Sequence, residues 1–376
     1  MMPKVYADNA ATTKLDREAF EIMRLYMLEE YGNASQPYSF ARAPKRALQE
    51  ARAIIAQCIN ALPGEIYFTS GGTESDNWAI KGVACGWPRK SQIITSKIEH
   101  HAVLRSCAFL EQNGYAITYL PATRQAIIEN GVLVDKISSA TRLVSVMTAN
   151  NEVGSIQPIR ELVKTAHANG ALFHTDAVQA VGHINVDVRD SDVDLLSASA
   201  HKFNGPKGIG FLYIKTGIDI KPYHHGGAQE DGMRAGTENI ANILGMAIAL
   251  RNNCRQLEKN IDKLKGIEEA FLSALNNAKV DYILNGSEQR IPGNISISIR
   301  NADGEMLLHR LDLMGITVST GAACDSKETR VSHVLNAMGV PEEYVRGTIR
   351  VSFGKDNCID DALFVADSLK KILVAK

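Results

Sequence analysis

Through the first two-thirds of the chain, short β-rich runs alternate with longer stretches whose apolar residues recur every three or four positions. The runs at 66–69, 92–95, 116–119, 143–147, 171–174, 195–197 and 209–214 predict strands. Between them the spacing predicts helices over 73–86, 99–113 and 159–169, the last closed by Gly170. Strand, helix, strand repeated in this way predicts an α/β fold with a largely parallel sheet covered on both faces. In such sheets, ligands sit beyond the carboxyl ends of the strands. The rhythm then changes. Residues 237–275 carry the longest helical pattern, 294–299 alternate strictly, and a helix at 305–313, strands at 316–319 and 348–353, and a final helix at 359–373 complete a smaller α+β unit. The change falls near 255–265. The expected division is a large domain over 15–258 and a small one built from 1–14 and 259–376.

Composition narrows the class. The 376 residues are 45% hydrophobic and 22% charged, with a net charge of −1. That is ordinary for a globular protein, and both signs are interspersed. No basic face points to a nucleic-acid partner. The longest apolar-plus-glycine run, 243–250, is too short to span a bilayer, so no membrane is expected. The opening MMPKVYADNAATT has no basic segment followed by an apolar one, from which a cytoplasmic location is expected. The six cysteines, at 58, 85, 107, 254, 324 and 358, form no CxxC pair and no cluster with zinc spacing. Reduced thiols and no metal are the expectation.

The candidate chemistry lies at strand ends. After the strand at 66–69 comes Ser70-Gly71-Gly72-Thr73-Glu74-Ser75, then a helix. Glycines and hydroxyls at a helix N-terminus suit an anionic phosphate, although Thr73 reads equally as a plain N-cap. The strand at 171–174 runs into Thr175-Asp176, and the strand at 195–197 into Ser199-Ala200-His201-Lys202. A lysine beside an aspartate from the neighbouring strand, near a phosphate-like loop, is the set a pyridoxal phosphate site needs: a Schiff-base amine, an acid for the ring nitrogen and a phosphate cradle.

The segments FTSGGTESDN, IEHHAV, NNEVG, HTDAVQAVG, SAHKFNGPKGIG and MRAGTEN, in this order, resemble those of the class V aminotransferase family. Within it they are similar to the cysteine desulfurases of the NifS/IscS type, and the likeness runs from Tyr6 to Phe353. The resemblance implies the type I fold of pyridoxal-phosphate-dependent transferases, with a mostly parallel seven-stranded sheet plus a smaller α+β domain. It implies that Lys202 binds pyridoxal 5′-phosphate, that Asp176 keeps the ring nitrogen protonated, and that His100 stacks on the ring and shuttles protons. Asn151 and Gln179 correspond to groups at the phenolic oxygen, and Gly72, Thr73, Ser199 and His201 to the phosphate cradle. Thr237 corresponds to a threonine reaching the phosphate from a second subunit, which implies a homodimer. Arg350 corresponds to the arginine that clamps the substrate carboxylate, and Asn33 and Asn151 to the substrate side. His101 reads as helix surface or cap, and Asn150 as a residue that orients its loop.

The resemblance also bears on TGAACDS, residues 320–326, whose cysteine locally reads as a small buried residue. The family's C-terminal domain carries a loop of the form SGSACxS at this place, so Cys324 corresponds to the nucleophile that attacks the substrate sulfur. The implied reaction converts L-cysteine to L-alanine, leaving a persulfide on Cys324. That sulfur passes to an acceptor such as an iron–sulfur scaffold or a tRNA-thiolation protein. Three features depart from the family pattern: Tyr38 where a histidine usually stands, Ala41 for glycine, and the charged run 325–330 after Cys324. Asp325 there disfavours a thiolate. Two rival functions keep part of the pattern. A class V aminotransferase on another amino acid needs no Cys324, and a non-catalytic scaffold would be expected to lose Lys202 or Asp176.

Overall fold

The computed structural model describes residues 5–88, 91–320 and 331–374. Its strands in chain order are β1 (Val5–Tyr6), β2 (Ile66–Thr69), β3 (Gln92–Ser96), β4 (Ala116–Leu120), β5 (Thr141–Ser145), β6 (Leu172–Asp176), β7 (Leu195–Ser199), β8 (Gly210–Ile214), β9 (Tyr282–Asn285), β10 (Asn294–Ile299), β11 (Ile316–Thr317) and β12 (Thr348–Ser352). Seven of them form one sheet in the order β2-β8-β7-β6-β5-β3-β4. All its pairings are parallel except those of β8, which runs antiparallel to both β2 and β7. Apart from the edge strand β4, the strands are largely buried on both faces, as expected for a sheet sandwiched between helices.

Two differences from the sequence pattern have visible causes. The strand expected at 143–147 is β5 at Thr141–Ser145, because the Met147 N–H is taken by the Glu99 carboxyl (3.1 and 3.0 Å) instead of by a neighbouring strand. The strand expected at 171–174 continues to Asp176, since Thr175 and Asp176 are polar yet buried. A hydropathy pattern misses such residues. Two helices over Arg17–Leu28 and Arg42–Cys58 precede the sheet and pack on the almost fully buried helix Ile240–Arg255. The Asp16 side chain caps the first of them, accepting from the Glu18 and Ala19 amides, a contact worth about 1 kcal/mol.

A second apolar core forms away from the sheet. It takes Val5 and Ala7 together with residues between Leu264 and Ile372. Here β10 lies between β9 and β12, antiparallel to both, and β1 pairs in parallel with β11. Helices Leu257–Asn277 and Ile359–Val374 pack against each other beside this sheet. Val334, Leu335, Met338 and Val340 depart from that pattern, because they pack into the core of the large sheet. The N-terminal strap joins the two cores. Its Ala7 N–H bonds to Thr317 O (2.9 Å), and Ser352 N–H bonds to Ala7 O (2.7 Å). Farther along, Thr13 N–H bonds to His201 O (2.9 Å), beside the end of β7. Among the described residues no helix is long and apolar enough to cross a membrane.

Candidate active site

A cavity of about 570 Å³ opens where the carboxyl ends of β6 and β7 meet the start of helix Gly72–Ala84 and the N-terminal strap. Lys202 leaves β7 through a single helical turn, and its Nζ donates to the carbonyls of Ala10 (2.7 Å) and Ala11 (2.9 Å). Asp176 is the last residue of β6, and its Oδ1 accepts the Val178 N–H (2.9 Å). Burial raises the Asp176 carboxyl above the ordinary range, while the nearby His100 ring, the Val178 N–H and the charge of Lys202 pull it back. A cationic group opposite Asp176 would complete that reversal.

The cradle end is built by backbone. Gly71 sits at φ +145°, a conformation that favours glycine, and hands over to the helix at Gly72. A Cβ on Gly72 would lie 2.7 Å from Val178 Cγ2, so the chain can approach this closely only as glycine. As at any helix start, the first amides have no intrahelical acceptor, and Gly72, Thr73 and Glu74 all line the cavity. The Glu74 carboxylate would repel an anion here, but Arg234 holds it at both oxygens (2.8 and 3.2 Å), and the Ser70 N–H adds a further bond (2.8 Å). Ser199 and His201 complete this end. His201 stands 3.2 Å from Thr12 Oγ1, and its pKa is pushed down to about 4, first by burial and then by the charges of Lys202 and Lys207.

His100 is the N-cap of helix His101–Gln112. Its Nδ1 accepts the Ala102 N–H (3.1 Å), so the neutral ring carries its proton on Nε2. Burial lowers its pKa and favours that neutral form. Gln179 and Asn151 line the same cavity, with Gln179 Nε2 donating to Ala10 O (2.9 Å). On the opposite wall Arg350, on β12, donates from Nη2 to Asp8 (2.7 Å) and from Nη1 to Asn151 O (2.9 Å). Its Nε is buried with no hydrogen-bond partner among the described residues.

The structure therefore brings Gly72, Thr73, His100, Asn151, Asp176, Gln179, Ser199, His201, Lys202 and Arg350 to one cavity. It does not bring Thr237 or Asn33 there. Thr237 is exposed, and Asn33 turns its Oδ1 to the Ser35 N–H (2.9 Å). Cys324 lies outside the described residues. His101 is not plain helix surface, since it lines the cavity with its ring 4.7 Å from that of His333. Asn150 does orient its loop: its Oδ1 accepts the Glu152 and Val153 N–H groups (2.9 and 3.0 Å). Four residues escaped the sequence reading: Ala10 and Ala11 through their carbonyls, Asp8 and Asp76. Asp76 left a usable signal, because a charge stands on the same helical stripe as Ala79, Ile80 and Val83.

Comparison with known proteins agrees with this geometry. The family described as Aminotransferase class-V matches residues 5–363. The cysteine desulfurase IscS of Dictyoglomus turgidum is 47% identical over 375 residues, covering 99% of this chain and 95% of that relative. A solved NifS-like protein superposes with a TM-score of 0.94 at 35% identity, covering all of both chains. A second solved chain, SspA in complex with cysteine, gives 0.83 at 31% identity over 94% of this chain and 99% of its own. Fold, site and sequence likeness over almost the whole length coincide, and the chain belongs to the class V aminotransferase family, in its NifS/IscS-type branch.

Proposed function

We infer that the protein is a cysteine desulfurase that takes the sulfur of L-cysteine and releases L-alanine with the help of pyridoxal 5′-phosphate. The observation that carries this is the convergence of an amine, an acid, an open helix start and a guanidinium on one cavity, at Lys202, Asp176, Gly72 and Arg350. The residues present fit the cofactor. Gly72, Thr73, Ser199 and His201 would hold its phosphate, with the Glu74 charge already neutralised by Arg234. Asp176 would face the ring nitrogen, His100 the ring, and Asn151 and Gln179 the phenolic oxygen. Lys202 would hold the cofactor covalently. When bound, the cofactor supplies an electron sink for negative charge at the substrate Cα.

The remaining work falls to side chains. The Arg350 fork binds the substrate carboxylate, with Asp8 and the Asn151 carbonyl fixing its plane. The Lys202 amine takes the Cα proton. The Cys324 thiolate then forms an S–S bond to the substrate sulfur as the Cβ–S bond breaks. The bonding pair stays on carbon, which is protonated to alanine, and the persulfide remains on Cys324. An iron–sulfur scaffold or a tRNA-thiolation protein would receive the sulfur.

The same reading takes the chain as a large unit at 15–258 and a small one at 1–14 with 259–376, acting as a homodimer. Two features favour the dimer. Thr237 is exposed and could serve a phosphate only in a second copy, and Phe20, Met27, Leu28, Tyr31, Tyr38 and Phe40 expose much apolar area. A cytoplasmic setting suits the free thiols Cys58, Cys85, Cys107, Cys254 and Cys358.

The test is to load the purified protein with cofactor, add L-cysteine, and assay sulfide and alanine. Equimolar products are expected, with Cys324→Ser losing sulfide release while keeping the visible cofactor band. Sulfide release at the wild-type rate in Cys324→Ser would remove the nucleophile. Transamination of another amino acid without sulfide would replace the function.

A further inference from the structure

Beside Asp176, in the lining of the same cavity, stands a second acid. Asp76 projects from the inner face of helix Gly72–Ala84 and is 1% exposed. One of its carboxyl oxygens, one of Asp176 and a ring nitrogen of His100 lie within 4.8 Å of one another. Its Oδ1 has no hydrogen-bond partner among the described residues. An ionised carboxylate with an orphaned oxygen in a water-free interior is among the most expensive arrangements a protein can hold.

The groups around Asp76 do not relieve that cost. His174 Nε2 is 3.7 Å from Asp76 Oδ1, but this ring does not supply a charge. Its Nδ1 is bonded to Ser145 Oγ (2.8 Å) and its Nε2 to Ser197 Oγ (3.0 Å), and burial holds it neutral down to about pH 3. The Ser197 hydroxyl also bonds the Asp76 carboxyl and favours ionisation, but burial and the charge of Asp176 act more strongly the other way, with Glu99 adding to them. Glu99 is itself buried, and its carboxyl is spent on Ser96 Oγ and the Met147 N–H. The His100 ring and the charge of Lys202 act on Asp176, which also has the Val178 N–H. Two neighbouring carboxyls with one set of stabilising partners cannot both be charged.

We propose that Asp76 is a positioning acid of the cavity floor: its carboxyl carries a proton on Oδ1 and offers that O–H to the Asp176 carboxylate, so that one negative charge, on Asp176, faces the ring nitrogen of the cofactor. This deepens the functional reading above and rests on it for the identity of the cofactor. The arrangement concentrates the charge where a cationic nitrogen needs it and fixes the orientation of the Asp176 carboxylate before the ligand arrives. A second anion in its place would blur the field and raise the affinity of Asp176 for a proton.

Two measurements test this separately from turnover. Infrared difference spectra of wild type against Asp76→Asn, at neutral pH and without cofactor, should show a protonated-carboxyl stretch that the variant lacks. Finding only carboxylate bands would overturn the proposal, whatever the enzyme does. The second measurement uses protein loaded with pyridoxal phosphate labelled with ¹⁵N in the ring, and reads the nitrogen shift and the cofactor affinity. Asp76→Asn keeps a neutral donor, so the shift should stay that of a protonated nitrogen and affinity should change by less than about threefold. Asp76→Val loses the donor, and affinity should fall roughly tenfold with the shift moving toward the unprotonated value. A large shift in Asp76→Asn would mean that Asp76 is charged and would overturn the proposal. An unchanged shift and affinity in a folded Asp76→Val would reduce Asp76 to packing and overturn it equally. If wild type binds no pyridoxal phosphate, the functional reading fails, and the infrared result still decides the proton.

Discussion

The two walls of the cavity are made in opposite ways. The floor, with Asp176, Lys202, Ser199 and Asp76, comes from adjacent strands and one helix beside the large sheet, and the Asp176, Ser199 and Asp76 side chains are buried while Lys202 is half-buried. The facing wall joins Arg350 to Asp8 across 342 residues of chain, and it rests on the second core and the N-terminal strap. The floor tunes charge by burial, shifting Asp176 and Asp76 upward and His174 downward. The wall relies on directed hydrogen bonds from one guanidinium. Damage to the floor should therefore appear in cofactor chemistry, and damage to the wall in substrate affinity.

The sharpest break is Lys202→Ala, expected to abolish the stable visible cofactor band and cut sulfide release by more than about 10³-fold. Retained turnover would show that the floor does not need its amine. At the wall, Arg350→Lys keeps the charge but loses the planar fork. KM for L-cysteine should rise by roughly 10- to 100-fold, with kcat changed much less. Asp8→Asn should raise KM by a smaller factor, since it loosens the guanidinium without removing it. Equal losses in kcat and KM would blur the division between the walls. For the support of the wall, a Cβ on Gly347 would overlap the Ile299 carbonyl where β12 begins. Gly347→Ala should cost about 1–3 kcal/mol in thermal or denaturant unfolding while leaving the cofactor spectrum of the folded fraction intact.

The smallest effect probes the floor through pH. Burial pushes Glu99 from its ordinary 4.5 up to about 8. The folded state thus keeps a proton that the unfolded chain gives up, and stability contributed by Glu99 is lost as pH rises from 4.5 toward 8. His174 acts in the other direction: its neutral ring costs stability as pH falls from 6.5 toward 3. Glu99→Gln should flatten the decline in melting temperature on the alkaline side and leave the acid side unchanged. An identical slope in both proteins would show that Glu99 is not the group responsible.

The floor was the legible part. Parallel strands deliver their last residues to one edge, so Asp176 and Lys202 could be placed from the strand pattern alone. Asp76 was not, because an acid in a helix reads as surface unless its stripe is checked against Ala79, Ile80 and Val83. The wall was hardly legible at all. Arg350 came only through family likeness, and nothing in YADNAATT announces that Asp8 faces β12 or that the Ala10 and Ala11 carbonyls face Lys202. Such contacts depend on how two cores dock, and local periodicity does not encode docking. β9 was missed for a similar reason: Tyr282–Asn285 is short, largely half-buried, and gains its pairing from β10. Thr237 and Asn33 are placed away from the cavity of their own chain, where only a second copy or a rearranged loop would give them a role.

The strap has a consequence for how the enzyme is made. Its residues Val5 to Ala10 are hydrogen-bonded to Gly315, Thr317 and Ser352, while the carbonyls of Ala10 and Ala11 hold Lys202. The strap must therefore wait for residues 342 positions later in the chain before it has anywhere to settle. The large sheet can form on the nascent chain, but the strap is unanchored and the arginine is absent until residues 348–352 have been made. Reactive chemistry is withheld from unfinished chains by topology alone.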